Sequence, residues 1–128
     1  IQVAAAAAIN AGDEVVRHAR DIYHHRRDVM VESFGRAGWQ VPPPPSTMFA
    51  WVPIPDPYRD MGSLEFSKLL FENADVAVAP GIGFGEYGDD HVRIALVENE
   101  HRIRQAARNI RRFLASGDEA GQKVASAV

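Results

Sequence analysis

Four consecutive prolines at residues 42–45 constrain this chain more than any other feature. Each proline fixes its own φ and lacks an amide donor, so neither a helix nor a central strand can pass through them. The segment has to be a stiff extended connector. Sequence on its N-terminal side reads as helical, and sequence beyond it alternates strands with helices.

Residues 1–10 are alanine-rich and apolar on nearly every side, the pattern of a helix that needs burial all round. Asn10-Ala11-Gly12-Asp13 breaks the run, with Asp13 as N-cap and Glu14 favouring the positive end of a second helix dipole. That helix is expected to reach about Ala37. Val15, Ala19, Ile22, Met30, Phe34 and Ala37 would form its single buried stripe, interrupted by Arg26, and Gly38 would terminate it. No basic segment precedes the apolar opening, which argues against a secretory leader. An apolar first residue without an initiator methionine leads to the expectation that the chain begins inside something larger.

Beyond the prolines, Thr47-Met48-Phe49-Ala50-Trp51-Val52 is expected as a strand that is apolar, and buried, on both faces. Ser63 should cap a short helix with Phe66, Leu69 and Leu70 on one face and Asn73 near its end. Val76-Ala77-Val78-Ala79 reads as a strand stopped by Pro80-Gly81. From His91 to Val97 the residues alternate, with Val92, Ile94 and Leu96 on one side and Arg93, Ala95 and Val97 on the other. Asn99 should cap a last helix striped by Ile103, Ala106, Ala107, Ile110, Phe113 and Leu114, ended by Gly117. Residues 118–128 are small and polar and read as disorder or a poorly fixed helix. The order implies an α+β fold, a small mixed or antiparallel sheet with helices packed on it.

Charge and composition exclude several functions. The net charge is −3 and the twelve arginines are interspersed with acids, which gives no nucleic-acid footprint. Without cysteine there is no disulfide, thiolate nucleophile or cysteine-ligated zinc. No run approaches the roughly 18 to 20 apolar residues of a membrane span. A cytoplasmic location is the default expectation.

Gly81-Ile82-Gly83-Phe84-Gly85 invites a phosphate-loop reading, but a strand follows it where a helix should open, so a structural loop or a site rim fits better. The five histidines, His18, His24, His25, His91 and His101, lack metalloprotease spacing and read as surface residues. His91 projects to the same side as Arg93 and is a candidate for a supporting role. Glu86, Asp89 and Asp90 read as a solvated acidic turn. Arg93 is the most informative residue: a guanidinium in an apolar strand needs an anionic partner, either a ligand carboxylate or phosphate or an internal acid such as Glu98 or Asp90.

Tyr23-His24-His25-Arg26-Arg27-Asp28-Val29, Ala37-Gly38-Trp39, Ser46-Thr47-Met48-Phe49-Ala50-Trp51, Val78-Ala79-Pro80-Gly81 and His91-Val92-Arg93-Ile94-Ala95-Leu96 resemble, in this order, class I aminotransferases of fold type I. Asp56-Pro57-Tyr58, Met61-Gly62-Ser63-Leu64-Glu65-Phe66 and the glycine-rich loop most resemble the bacterial branch of alanine (glutamate–pyruvate) and LL-diaminopimelate aminotransferases, the alanine type above all. The resemblance implies the C-terminal small domain of such an enzyme. Residues 1–11 would be a remnant helix of the large cofactor-binding domain, 12–117 the small domain opening with the long interdomain helix, and 118–128 a tail. It implies that Arg93 binds the substrate α-carboxylate, that amino acids and 2-oxo acids are the substrates, and that the whole enzyme is a homodimer. Pyridoxal phosphate would be held on a lysine upstream, since neither Lys68 nor Lys123 has the required setting; no cofactor or catalytic residue is expected within this chain, and the chain alone should be inactive. A carbon–sulfur lyase of the same fold, or a free-standing α+β interaction module with Arg93 ion-paired internally, are the alternatives.

Overall fold

The computed structural model describes residues 1–125. Helices α1 (Gln2–Asn10) and α2 (Glu14–Arg36) are followed by strand β1 (Phe49–Pro53), helix α3 (Gly62–Ala74), strands β2 (Ala79–Pro80) and β3 (His91–Ala95), and helix α4 (Glu100–Ala125). Short 3-10 turns occupy Asp56–Met61, Gly81–Phe84 and Glu86–Gly88. The three strands form one antiparallel sheet in the order β1-β3-β2, which resolves the expected α+β layer to its antiparallel form. None of the described helices is long and apolar enough to cross a membrane.

Gly38 ends α2 by adopting a φ of +98°, a conformation in which a side chain would be strained. Its amide donates to the Gly35 carbonyl at 3.1 Å and the Trp39 amide donates to the Phe34 carbonyl at 2.9 Å, a Schellman pattern that satisfies two terminal carbonyls. The accompanying apolar contact is Trp39 stacked on Phe34, with ring centroids 5.8 Å apart. Trp39 also meets Phe66 of α3 edge-on at 5.5 Å and donates its Nε1–H to the Pro53 carbonyl of β1 at 2.9 Å. One indole thus ties α2, α3 and β1 together. Around it, Met30, Phe34, Ala50, Val52, Phe66, Leu70, Val92, Leu96 and Ile110 are buried in a single cluster.

Several local expectations are corrected. The stripe on α2 is buried only in its second half, where Val29, Met30 and Phe34 enter the core; Val15 is 68% exposed and Ala19 is exposed, because no element packs beside the first turns. Asp13 stands at the N-cap without a side-chain cap bond. β1 is buried on one face only, Ala50 and Val52 facing the core while Trp51 is 42% exposed, since helices cover only one side of the sheet. It begins at Phe49, because Thr47 sits at φ +70° and its hydroxyl accepts the Phe49 amide at 3.1 Å. β2 pairs only through Ala79 and Pro80, an edge position where a missing amide is tolerated. α4 runs through Gly117 instead of ending there. A Cβ at Gly117 would strike the Tyr58 hydroxyl, so this glycine serves a close approach and does not act as a stop. The expected tail therefore continues the helix to Ala125; residues 126–128 lie outside the described residues.

The expected cap of α4 is present, with Asn99 Oδ1 accepting the Arg102 amide at 3.1 Å. α3 ends at Ala74, whose carbonyl accepts from Asn109 Nδ2 of α4 at 2.8 Å, while Asp75 turns the chain at φ +54°. The glycine-rich loop is closed at its base by direct backbone contact. A Cβ on Gly81 would overlap the carbonyl oxygens of both Gly88 and His91, whereas a Cβ on Gly83 would meet nothing within 4 Å. Gly81→Ala should therefore cost about 1–3 kcal/mol or more, as overpacking against backbone does. Gly83→Ala should stay within about 1 kcal/mol of the parent, the usual range for a compatible glycine site. Urea denaturation of the two variants side by side checks the difference.

Candidate functional site

Because helices cover a single face of the sheet, the other face is open, and the alternation of strand residues decides what it displays. Arg93 pairs in register with Trp51 on one side and Ala79 on the other, so it stands at the centre of that face while Val92 is fully buried beneath. The sequence-based placement of Arg93 opposite the apolar side of its strand is therefore correct. Its guanidinium lies over the Phe49 ring at 4.4 Å and over the Phe84 ring at 4.5 Å from the centroids. Aromatic faces attract a cation but do not neutralise it.

Arg93 is not found in any of the described ion pairs or side-chain hydrogen bonds, including those of Asp90. The internal-pair reading with Glu98 or Asp90 is thus not realised among the described residues. Asp90 instead contacts His91, whose Nδ1 lies 2.5 Å from Asp90 Oδ1. His91 in turn stacks on Trp51, centroids 5.5 Å apart and planes 11° apart, and Trp51 meets Phe84 edge-on at 5.6 Å. The arrangement is a partly exposed arginine within an aromatic frame, with one His–Asp pair at its margin.

The acidic turn does not behave as a unit. Asp90 and Glu86 are exposed, but Asp89 reaches inward: its Oδ1 accepts the Ser63 amide at 2.9 Å and the Ser63 hydroxyl at 2.8 Å. Ser63 was expected to cap α3 with its own side chain; the cap is supplied by Asp89, 26 residues downstream, and Ser63 Oγ accepts the Ile82 amide at 3.0 Å. In the glycine-rich loop the Gly85 amide donates to Ile82 and the Ile82 amide to Ser63, and strand β3 follows where a phosphate-binding loop would open a helix, so the loop reads as a rim of the open face.

Arg26, which interrupts the apolar stripe of α2, proves to have a structural task that periodicity alone did not reveal. Its guanidinium donates to the carbonyls of Leu96 and Val97, both at 3.1 Å, and fixes the exit of β3 just after Arg93. His18, His24, His25 and His101 are exposed on the helices. Lys68 is exposed on α3 and paired with Glu65 at 2.7 Å. A cleft of about 410 Å³ bounded by Met30, Val76, Ile94 and Ile103 opens on the helical side of the sheet, and Arg93 does not line it. Asp75, Glu98 and Arg102 also line it, but among the described residues no aromatic ring frames a cation there as Phe49 and Phe84 frame Arg93, so the open face is the better candidate.

The His91 ring beside Asp90 holds that carboxyl below its ordinary value of 3.8, first through the hydrogen bond and then through charge. A carboxyl depressed on folding contributes stability above its unfolded value and loses it as pH falls through the lower folded value. In a carbon-detected NMR titration Asp90 should titrate below 3.8, and His91→Phe should return it upward toward that value.

The family model for aminotransferases of class I and II matches residues 1–110. A Rhizobium meliloti protein carrying the aminotransferase name AatC is 69% identical over 126 residues, covering 98% of this chain and 31% of its own length. The glutamate-pyruvate aminotransferase AlaC of Escherichia coli is 53% identical over 111 residues, 87% of this chain and 27% of that protein. Among solved structures, apo-BacF from Bacillus subtilis superposes with a TM-score of 0.80 at 32% identity over 86% of this chain and 28% of that one. The chain thus spans less than a third of the length of these relatives. By its sequence and by its fold, the chain belongs to the class I and II aminotransferases.

Proposed function

We propose that this chain is the substrate-clamping part of an aminotransferase, and that Arg93 binds the α-carboxylate of the amino acid and of the 2-oxo acid. The observation that carries the reading is the Arg93 guanidinium, held over Phe49 and Phe84 on the open sheet face without a described anionic partner. A guanidinium offers a planar fork that matches a carboxylate through two parallel N–H···O bonds. The flanking rings restrict the plane of that fork, so less freedom is lost when the carboxylate arrives. They also place apolar surface beside the charged contact, where it is screened less than in open water.

Pyridoxal phosphate is the cofactor of this family, and the described residues do not fit it. Lys68 is ion-paired to Glu65 on a helix whose Phe66 and Leu70 pack into the core, away from the face that displays Arg93. The carbanion-stabilising chemistry of the cofactor therefore belongs to the rest of the protein. Residues 1–11 and the exposed first turns of α2 would then pack against that remainder and residues 12–117 would form the small domain, which accounts for the exposure of Val3, Ile9, Val15 and Val16. The E. coli relative named as a glutamate-pyruvate aminotransferase supports alanine and glutamate as the substrate pair, and a homodimer of the whole enzyme accompanies this reading.

In the whole enzyme, Arg93→Ala should cost about 1.5–3 kcal/mol of transition-state stabilisation, the usual worth of hydrogen bonds to a charged group. That corresponds to a loss of roughly ten- to hundredfold in kcat/KM. Arg93→Lys should recover only part of it, because a point charge lacks the fork. Steady-state kinetics with kcat/KM unchanged in Arg93→Ala would remove Arg93 from the site. For the chain by itself, borohydride reduction in the presence of pyridoxal phosphate should label no lysine selectively; selective labelling of Lys68 would overturn the assignment of the cofactor to the rest of the protein.

A further inference from the structure

Phe84 holds one side of the Arg93 fork, yet it is 54% exposed and sits on a loop rich in glycine. A ring in such a place has little packing of its own to keep it there, so something else fixes the loop. The backbone shows what does. At the base of the loop, Gly81 and Gly88 are in direct contact, closer than any side chain would allow. One residue further, the Ile82 amide donates to Ser63 Oγ at 3.0 Å. Ser63 is itself fully buried, and its hydroxyl donates to Asp89 Oδ1 at 2.8 Å. The same carboxylate oxygen accepts the Ser63 amide at 2.9 Å.

We infer that Asp89 and Ser63 are positioning residues for substrate binding: together they brace the Gly81–Phe84 turn so that Phe84 stays over the Arg93 guanidinium. This rests on the reading of Arg93 as the carboxylate clamp. Asp89 has no described contact with Arg93; it acts through Ser63, the Ile82 amide and the two-residue reach from Ile82 to Phe84. One carboxylate oxygen that accepts both the amide and the hydroxyl of Ser63 is a stiff link, because both donors belong to one residue in the first turn of α3 and the same hydroxyl oxygen accepts the loop's Ile82 amide. Trp51 completes the brace from the front, seated over Gly88 and edge-on to Phe84. An exposed serine and aspartate could cap a helix equally well. The burial of Ser63, and its use as donor and acceptor at once, go beyond what a cap requires.

The test is a double-mutant cycle in the whole aminotransferase, with the best amino donor from a panel of L-amino acids. Asp89→Ala, Ser63→Ala and Phe84→Ala should each raise KM about two- to fivefold, the size of one exposed cation–π contact, with kcat changed less. In a Phe84→Ala background, Asp89→Ala should add nothing further, since residues acting through one another are not additive. Asp89→Asn keeps an acceptor oxygen for the Ser63 amide and should recover most of the KM. Additive effects, or a lowered melting temperature with KM unchanged, would reduce Asp89 to a structural cap and overturn the inference. Should Asp89→Ala fail to fold, the Ser63→Ala and Phe84→Ala cycle carries the same test. Arg93→Ala measured alongside separates the two readings: an unaffected KM there removes the clamp itself, whereas a large effect there with an additive cycle removes only the brace.

Discussion

The contact on which the rest of the structure depends is the indole of Trp39. It is delivered by the left-handed turn at Gly38, stacks back on Phe34, abuts Phe66 and bonds to the Pro53 carbonyl. Truncating a buried aromatic of this kind generally costs about 3–5 kcal/mol, comparable to much of a small domain's net stability. The position matters as much as the size. Trp39 is the point at which the long helix hands the chain to the proline connector, and its hydrogen bond to Pro53 fixes where that connector returns it to the sheet. β1 is thereby placed against β3 with Trp51 opposite Arg93.

From that register follows the asymmetry that makes a site possible. A sheet with helices on one side buries its even-numbered positions Ala50, Val52 and Val92, and exposes the odd-numbered Trp51, His91 and Arg93 on the other. The exposed face is aromatic and carries one cation without a described counter-ion. A fully buried arginine in this position would have demanded an internal acid. Partial exposure relaxes that demand, and the aromatic rings hold the group without neutralising it. The chain covers less than a third of the length of the relatives it resembles.

Much of this was legible in the sequence where the cause is local. Gly38 as helix terminator, Asn99 as cap and the alternation that sets Arg93 against Val92 depend on neighbouring residues or on a period of two, and each appears as read. The failures have a common character. Ser63 was read as a cap for its own helix, and Asp89 as a solvated turn residue, because their partnership spans 26 positions. Arg26 looked like a flaw in an apolar stripe, because its carbonyl partners lie 70 and 71 residues away. Gly117 looked like a helix stop, because Tyr58, the ring it makes room for, is distant in the chain. Each of these residues is explained by a partner that no local window contains.

The sequence by itself determined the elements, the side of β3 from which Arg93 projects and the family to which the chain belongs. These follow from backbone constraints at proline and glycine, from hydrophobic period and from the order of short motifs. Tertiary structure alone decided that β1 has one open face, that Arg93 is framed by Phe49 and Phe84 rather than paired with an acid, and that Asp89 works behind the loop rather than in solvent. The physical reason is that burial and pairing are properties of what comes to lie alongside, and a strand that is apolar on both sides carries no record of which side a helix will cover.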